Sequence, residues 1–331
     1  MKLPNAFVQL PLLFDAAALA NEIASFSEAD WLPHPTGYAG NDFLPLVSAY
    51  GNANNEAFEG PMRPTPHLNH ERPYLRQTLA TLGACIGRTR LMRLSPHADV
   101  DEHVDVNYYW RDRMRVHVPI ITQPTVRFNC GAASIHMGPG ETWVFDTWSL
   151  HSVNNDAQSS RVHLVADTVG GDEFWNLMAA GRSPGVESNA NWTARKVAPS
   201  GHVAAFDLES VNAPNVMSPW ELKDHLSFLM SEIVPGQAAT PLVARATTAF
   251  LHRWRALWGV YGDSGEGRAR YKETLERFAH ELHALGATKI VLRNEVELLH
   301  PLKGMVFDVA LSDPARDSSK GEQRSAPQAR T

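Results

Sequence analysis

The chain is short of cysteine, of long apolar runs and of basic charge, and each shortage excludes a class of protein. Two cysteines in 331 residues, Cys85 and Cys130, cannot build a disulfide framework. They fit a reducing compartment, so a cytoplasmic location is expected. No stretch approaches the roughly 20 apolar residues of a membrane span. The apolar run after Lys2 is broken by Pro4, Gln9, Pro11 and Asp15, whereas the core of a secretion signal is continuous. With 30 Lys and Arg against 36 Asp and Glu, the net charge of -6 argues against a nucleic-acid scaffold, which needs a dominant basic face. No convincing Ser-His-Asp arrangement points to a nucleophilic hydrolase. The length suits a sizeable core in one large or two modest domains.

What is present in quantity is histidine, 15 residues of it, with the informative ones between residues 103 and 163. His103-Val104-Asp105 opens that stretch. Arg115-Val116-His117-Val118-Pro119 follows, then Gly140-Glu141-Thr142-Trp143-Val144-Phe145-Asp146, then His151, and last Arg161-Val162-His163-Leu164. Side chains two apart on a strand share a face, so His103 and Asp105 can hold one cation together, with His151 as the ligand from a distant strand. Two imidazoles and one carboxylate with open positions form the facial arrangement of non-haem Fe(II) oxygenases. The tripeptide alone is ordinary, since this much histidine gives His-x-Asp about once by chance. His97-Ala98-Asp99 also fits it, but follows the turn signal Ser95-Pro96, whereas the second copy is expected to run into an extended segment over 104–109.

Taken together, residues 88–174 resemble the aspartyl/asparaginyl β-hydroxylase family of Fe(II)- and 2-oxoglutarate-dependent oxygenases, and among them the bacterial cis-type proline hydroxylases. The shared pattern is His-x-Asp, an Arg-x-His-x-Pro strand, a Gly-Glu-x-Trp-x-Phe-Asp turn and strand, a distal His, and an Arg ten residues beyond it. The resemblance implies His103, Asp105 and His151 as iron ligands, with 2-oxoglutarate and O2 as cosubstrates. It further implies Arg161 paired to the far carboxylate of 2-oxoglutarate, with Arg115 and His117 in supporting contact. The alternative for Arg161 is an internal ion pair with Asp146 or Asp167. A buried guanidinium needs some anionic partner, because left alone it costs several kcal/mol.

Along the chain, residues 6–10 read as a strand and Asp15 as the cap of a short helix through Phe26. Residues 31–66, dense in Pro, Gly, Asn and aromatics, read as ordered loops. From these loops Trp31, Tyr38, Asn41, Asp42 and Tyr50 either contact substrate or simply pack. A helix is predicted from Pro73, with Leu75, Leu79 and Leu82 on one face and Gly83 or Gly87 at its end. Between 89 and 168 short segments of period two alternate with turns at Ser95-Pro96, Gln123-Pro124, Gly138-Pro139-Gly140 and Asn154-Asn155. They predict a double-stranded β-helix, the jelly roll of cupins, so the fold class is mainly β with α. In it Arg113, Arg115 and His117 share one face, and so do Arg161, His163, Val165 and Asp167. Residues 174–180 read as a short helix, and three helices are predicted over 218–234, from Thr240, and over 268–285, their aromatic stripes serving as packing surfaces, a cover for the barrel mouth or a homodimer face. Residues 289–302 are expected to add a strand. The expected organisation is an oxygenase domain over 1–180, a connection over 181–214, a helical domain over 215–305 and a polar, disordered tail over 312–331.

The activity implied is hydroxylation of an unactivated C–H bond in a free amino acid, or in an amino-acid residue of a peptide or protein, with release of succinate and CO2. No nucleic-acid or membrane partner is expected. For a zwitterionic substrate Arg113, Arg127, Asp42 and Glu102 are available. Two other classes remain: a metal-dependent cupin enzyme that does not use 2-oxoglutarate, and a jelly-roll binding module without catalysis.

Overall fold

A computed structural model of the chain describes residues 1–186 and 191–311. In chain order its elements are β1 (Phe7–Phe14), α1 (Ala16–Ile23), β2 (Leu32–Pro33), β3 (Asn41–Ala49), β4 (Met62–Pro64), α2 (Pro73–Thr81), β5 (Cys85–Leu94), β6 (Asp99–His103) and α3 (Tyr108–Arg111). There follow β7 (Met114–Ile121), β8 (Val126–Cys130), β9 (Ala133–Ile135), β10 (Glu141–Phe145), β11 (His151–Asn155), β12 (Arg161–Gly170), α4 (Asp172–Ala179) and β13 (Arg195–Val197). The remainder is α5 (Pro219–Glu232), α6 (Thr240–Tyr261), α7 (Arg268–Ala284) and α8 (Leu299–Leu302), the last running into a π-helical turn at Lys303–Phe307. The chain divides into two compact units, one of Met1–Val104 with Asp112–Asn212, the other of Asp105–Arg111 with the chain from Ala213.

The first unit is a double-stranded β-helix of two sheets. The larger has the order β13-β1-β10-β7-β12-β5-β3-β2, with β4 also on β3, and the smaller the order β6-β11-β8-β9. The two inner faces meet in a core where Phe7, Leu94, Trp143 and Phe145 of the large sheet pack with Val126, Phe128, Cys130 and Val153 of the small one. Alternation along each strand delivers those residues to one side.

Several expectations over this unit need correction, each for a local reason. β1 does not stop at Leu10; its pairing with β10 shifts between Leu10 and Leu13, so Pro11, which has no N–H, falls in an irregularity and the strand continues to Phe14. Asp15 then caps α1, its carboxylate accepting from Ala18 N at 3.0 Å. Residues 41–49, read as loop, form the buried strand β3. Its Pro45 is tolerated because β2 pairs only at Phe43 and Asp42 and β4 only from Val47 onward, so no ladder bond is required of Pro45 on that side. The expected extension over 104–109 is absent: the strand is β6, before Val104, and α3 follows, started by Asn107 Oδ1 accepting from Tyr109 N at 2.8 Å. Asn154-Asn155 is the end of β11, not a turn; the Asn155 amide donates to the carbonyls of Leu94, Ser95 and Ser159.

The second unit is helical. Ser218 caps α5, its Oγ accepting from Glu221 N at 3.2 Å, with Pro219 at the first helical position. The aromatic stripes are interior: Phe250 of α6 stacks on Phe278 of α7 at 4.2 Å, and Trp254 meets Tyr271 at 4.6 Å while donating to Met217 O. The strand expected within 289–302 is instead a pair of bridges, Val291 to Glu297 and Ile233 to Leu292, followed by α8. The tail expected over 312–331 lies outside the described residues. Among the described residues no helix is long and apolar enough to cross a membrane.

Two glycines of the first unit separate conformational from steric cost. Both have φ in the left-handed region, +74° at Gly140 and +53° at Gly131, but a Cβ at Gly140 would lie 2.0 Å from the Phe14 carbonyl oxygen whereas at Gly131 it meets open space. Gly131→Ala should therefore cost about 1 kcal/mol and Gly140→Ala at least about 3 kcal/mol, read as shifts of the urea unfolding midpoint.

Candidate metal centre

Pairing of β6 with β11 sets His103 opposite His151, and their ring centroids lie 4.2 Å apart. Asp105 follows His103 on irregular backbone rather than on a strand. Each of the three offers a ligand atom, and those atoms lie within 4.8 Å of one another; it is the one such cluster among the described residues. His103 Nδ1 lies 2.8 Å from Asp101 O, and His151 Nδ1 2.9 Å from Ser149 O. A carbonyl only accepts, so both Nδ1 atoms carry the proton and both Nε2 atoms present a lone pair, the state in which imidazole ligates a metal. The donor set fits Fe(II), whose preference for two imidazoles and a carboxylate is met without any thiolate.

An aromatic wall backs the pair. Phe145 lies 4.8 Å from His151, Phe128 is nearly parallel to it at 6.5 Å, and the ring of His117 sits 5.4 Å from each phenylalanine. The Gly-Glu-x-Trp-x-Phe-Asp motif builds this wall rather than doing chemistry. Glu141 Oε2 accepts from Gly138 N and from Trp143 Nε1 at 2.6 and 2.9 Å. Asp146 accepts from Leu3 N, Trp148 N and Ser149 Oγ. Because the Ser149 carbonyl holds His151, Asp146 sets the tilt of that imidazole at one remove.

Along β12 the side bearing Arg161, His163, Val165 and Asp167 faces residues of β7 in register, with His117 opposite Val165 and Arg115 opposite Asp167. Arg161 Nη2 donates to His163 Nδ1 at 2.9 Å, and His117 Nδ1 lies 3.4 Å from the same atom. All three side chains are buried, and Arg161 Nε, His117 Nε2 and His163 Nε2 have no hydrogen-bond partner among the described residues. Among the described residues no carboxylate neutralises Arg161: Asp167 pairs with Arg115 at 3.4 Å and Arg88 at 3.7 Å, and Asp146 is committed to its turn. Burial accordingly pulls the Arg161 guanidinium down to about 9. His117 and His163 are held well below the ordinary imidazole range, by burial first and by the charge of Arg161 next. A buried cation with two neutral imidazoles and three unmet polar atoms fits a carboxylate-bearing ligand such as 2-oxoglutarate.

The other candidates scatter. Arg113 is closed off by a buried pair with Glu209, Asp42 is held in a half-buried pair with Arg93, Arg127 bonds Ser134, and Glu102 is exposed. Trp31 lies under the Arg93 guanidinium at 4.5 Å, Asn41 is a β3 residue, Tyr38 sits near Asp101, and Tyr50 is 64% exposed. His97 occupies a left-handed turn and Asp99 bonds Asn154, so the first His-x-Asp copy takes no part. Sequence reading missed Phe128, a lone aromatic in a short strand with no motif around it. It also missed a charged cluster of Arg88 and Arg90 with Glu56, lying at 3.5 and 3.3 Å, beside the Arg88, Asp167 and Arg115 contacts. The period-two Arg88-Thr89-Arg90 on a buried strand was the available signal.

Residues 57–170 match the family model described as Aspartyl/Asparaginyl beta-hydroxylase. Two Streptomyces proteins are similar: L-proline cis-3-hydroxylase 2, 27% identical over 46% of this chain and 56% of its own, and L-proline cis-3-hydroxylase 1, 29% identical over 38% and 45%. The match thus spans about half the length of these relatives. Among solved structures, a 2OG-Fe(II) oxygenase family oxidoreductase from Burkholderia pseudomallei is 17% identical with a TM-score of 0.36, over 51% of this chain and 87% of that one. A Pseudomonas putida prolyl-4-hydroxylase is 15% identical with a TM-score of 0.34, over 50% and 92%.

The two depressed imidazoles make stability depend on pH with a defined sign. Below about pH 6.5 the unfolded chain takes up protons that folded His117 and His163 refuse, so their contribution is intact above that pH and is lost on acidification. Urea unfolding at pH 7, 6 and 5 should show a loss steepening by up to about 1.4 kcal/mol per pH unit for each ring, a slope that His117→Phe reduces. His103, Asp105, Arg115, His117, His151 and Arg161 all fall within residues 57–170, the segment that matches the Aspartyl/Asparaginyl beta-hydroxylase family model.

Proposed function

We propose that the chain is an Fe(II)- and 2-oxoglutarate-dependent hydroxylase of an amino acid or of an amino-acid residue in a small peptide. The observation that carries this reading is the approach of His103, Asp105 and His151, together with a buried Arg161 that no carboxylate among the described residues neutralises. In this reading His103, Asp105 and His151 hold the iron, and Arg161 receives the far carboxylate of 2-oxoglutarate. Bound there, the iron and its cosubstrate supply the oxidising chemistry: 2-oxoglutarate, O2 and a C–H bond go to succinate, CO2 and a C–OH bond.

The protein's own part is orientation and exclusion. The Asp101 and Ser149 carbonyls keep both ligating nitrogens unprotonated. His163 fixes the plane of the guanidinium through its 2.9 Å bond. Phe128 and Phe145 exclude water beside the ligands, and neutral His117 fills the interval to Arg161 without a repelling charge.

For the substrate, the cluster of Arg88, Arg90 and Arg115 with Asp167 and Glu56 supports a zwitterion. It offers guanidinium to a carboxylate and carboxylate to an ammonium group; Arg115 and Asp167 lie on the strands that carry His117 and Arg161, Arg88 and Arg90 on the neighbouring β5, and Glu56 between β3 and β4. The names of the Streptomyces relatives favour a proline-like amino acid. Cys85 and Cys130 are not joined in a disulfide, which suits a cytoplasmic enzyme.

Anaerobic addition of Fe(II) and 2-oxoglutarate should give a weak visible charge-transfer band, absent in a His103→Ala/His151→Ala double variant. Arg161→Ala should weaken 2-oxoglutarate binding by about 30-fold or more, the loss expected for truncating one partner of a buried charge pair. A band that survives the double variant refutes the ligand assignment. Undiminished cosubstrate affinity in Arg161→Ala refutes the role of that arginine, absence of 2-oxoglutarate binding by wild type points instead to a cupin enzyme that does not use it, and failure of every amino acid tested to trigger succinate release points to a binding module.

A further inference from the structure

The two histidines of the proposed iron site are set by strand register, but Asp105 lies past the end of β6, where no ladder fixes the backbone. A metal ligand must be held to within about 0.5 Å, and a single helical turn such as α3 is not stable alone. Its stiffness has to come from packing.

The segment Asp105–Arg111 belongs to the helical unit, and five contacts within that unit grip it. Tyr108 Oη donates to Glu221 Oε1 of α5 at 2.7 Å, and the Tyr108 ring meets the buried His225 edge-on at 5.6 Å. Arg111 reaches Asp224 at 3.0 Å and lies 4.3 Å from the Phe228 ring centroid. Glu221, Asp224, His225 and Phe228 recur at helical spacing, so one face of α5 is given over to this segment. On the other side the π-helical turn approaches so closely that a Cβ on Gly304 would come 2.7 Å from Val106 O. Gly304 therefore presses on the peptide that follows Asp105 by one residue.

We propose that the face of α5 with Gly304 positions the Asp105 carboxylate, making Tyr108, Glu221 and Gly304 positioning residues for metal binding; the inference rests on Asp105 being a metal ligand.

Anaerobic titration of the full-length, metal-free protein with Co(II) alone tests this, reading both the dissociation constant and the visible ligand-field spectrum. Wild type and Asp105→Ala define the two ends of the scale. Tyr108→Phe keeps the ring and loses only the hydroxyl; it and Gly304→Ala should each weaken Co(II) binding about 10-fold and move the spectrum toward that of Asp105→Ala. Glu221→Gln, whose amide oxygen still accepts from Tyr108, should stay near wild type while Glu221→Ala does not. Glu281→Gln breaks the 3.6 Å Arg253 to Glu281 pair elsewhere in the same unit and should change neither readout. Wild-type affinity and spectrum in Tyr108→Phe and Gly304→Ala overturn the inference while leaving the iron site standing. Equal Co(II) binding by wild type and Asp105→Ala overturns both.

Discussion

The register of β6 on β11 is the constraint on which the site depends. With His103 and His151 as direct partners, two imidazoles project from neighbouring strands to one side at a separation that a single ion can span. A slip by one residue would turn one ring to the opposite face, because side chains alternate. The register is fixed by what packs behind it: Val153 and Phe128 must enter the core, and Asn155 ties the end of β11 to the carbonyls of Leu94 and Ser95. The hydrophobic core and the metal centre are thus two consequences of one alignment.

A second constraint is electrostatic. The interior holds the Arg161 guanidinium beside two imidazoles, and the protein resolves the conflict by keeping the imidazoles neutral instead of supplying a counter-anion. An internal carboxylate would have been the stabilising choice, and Asp167 lies on the same side of the same strand. It is taken by Arg115 and Arg88. Under the proposed function, what is forgone in stability is available as affinity for an external carboxylate.

Legibility in the sequence followed the range of the interaction concerned. Motifs that act locally were readable: the Ser218 cap, the Asp15 cap, and the Gly138-Pro139-Gly140 turn. The aromatic stripes of α6 and α7 were readable as packing because helical period and burial coincide. Reading failed where a partner strand overrode composition. Residues 41–49 contain Pro45 and sit among loop-like neighbours, yet β5 pairs with them and buries them. The segment after His103 looked extended by its β-branched and aromatic content, but Asn107 and the contacts of α5 make it helical.

By itself the sequence determined the residue types and their order: a candidate ligand pair at His103 and Asp105, a distal His151, an arginine ten residues on, and a helical half after a polar connection. These were settled by local chemistry, since donor atoms, caps and periodicities are properties of neighbouring residues. Only the tertiary structure decided which atoms meet. It set His103 against His151, withheld Asp167 from Arg161, gathered Arg88 and Arg90 with Glu56, and placed Asp105 in the segment that α5 and Gly304 grip. Strand pairing and burial join residues tens of positions apart, and spacing along the chain carries no measure of that distance.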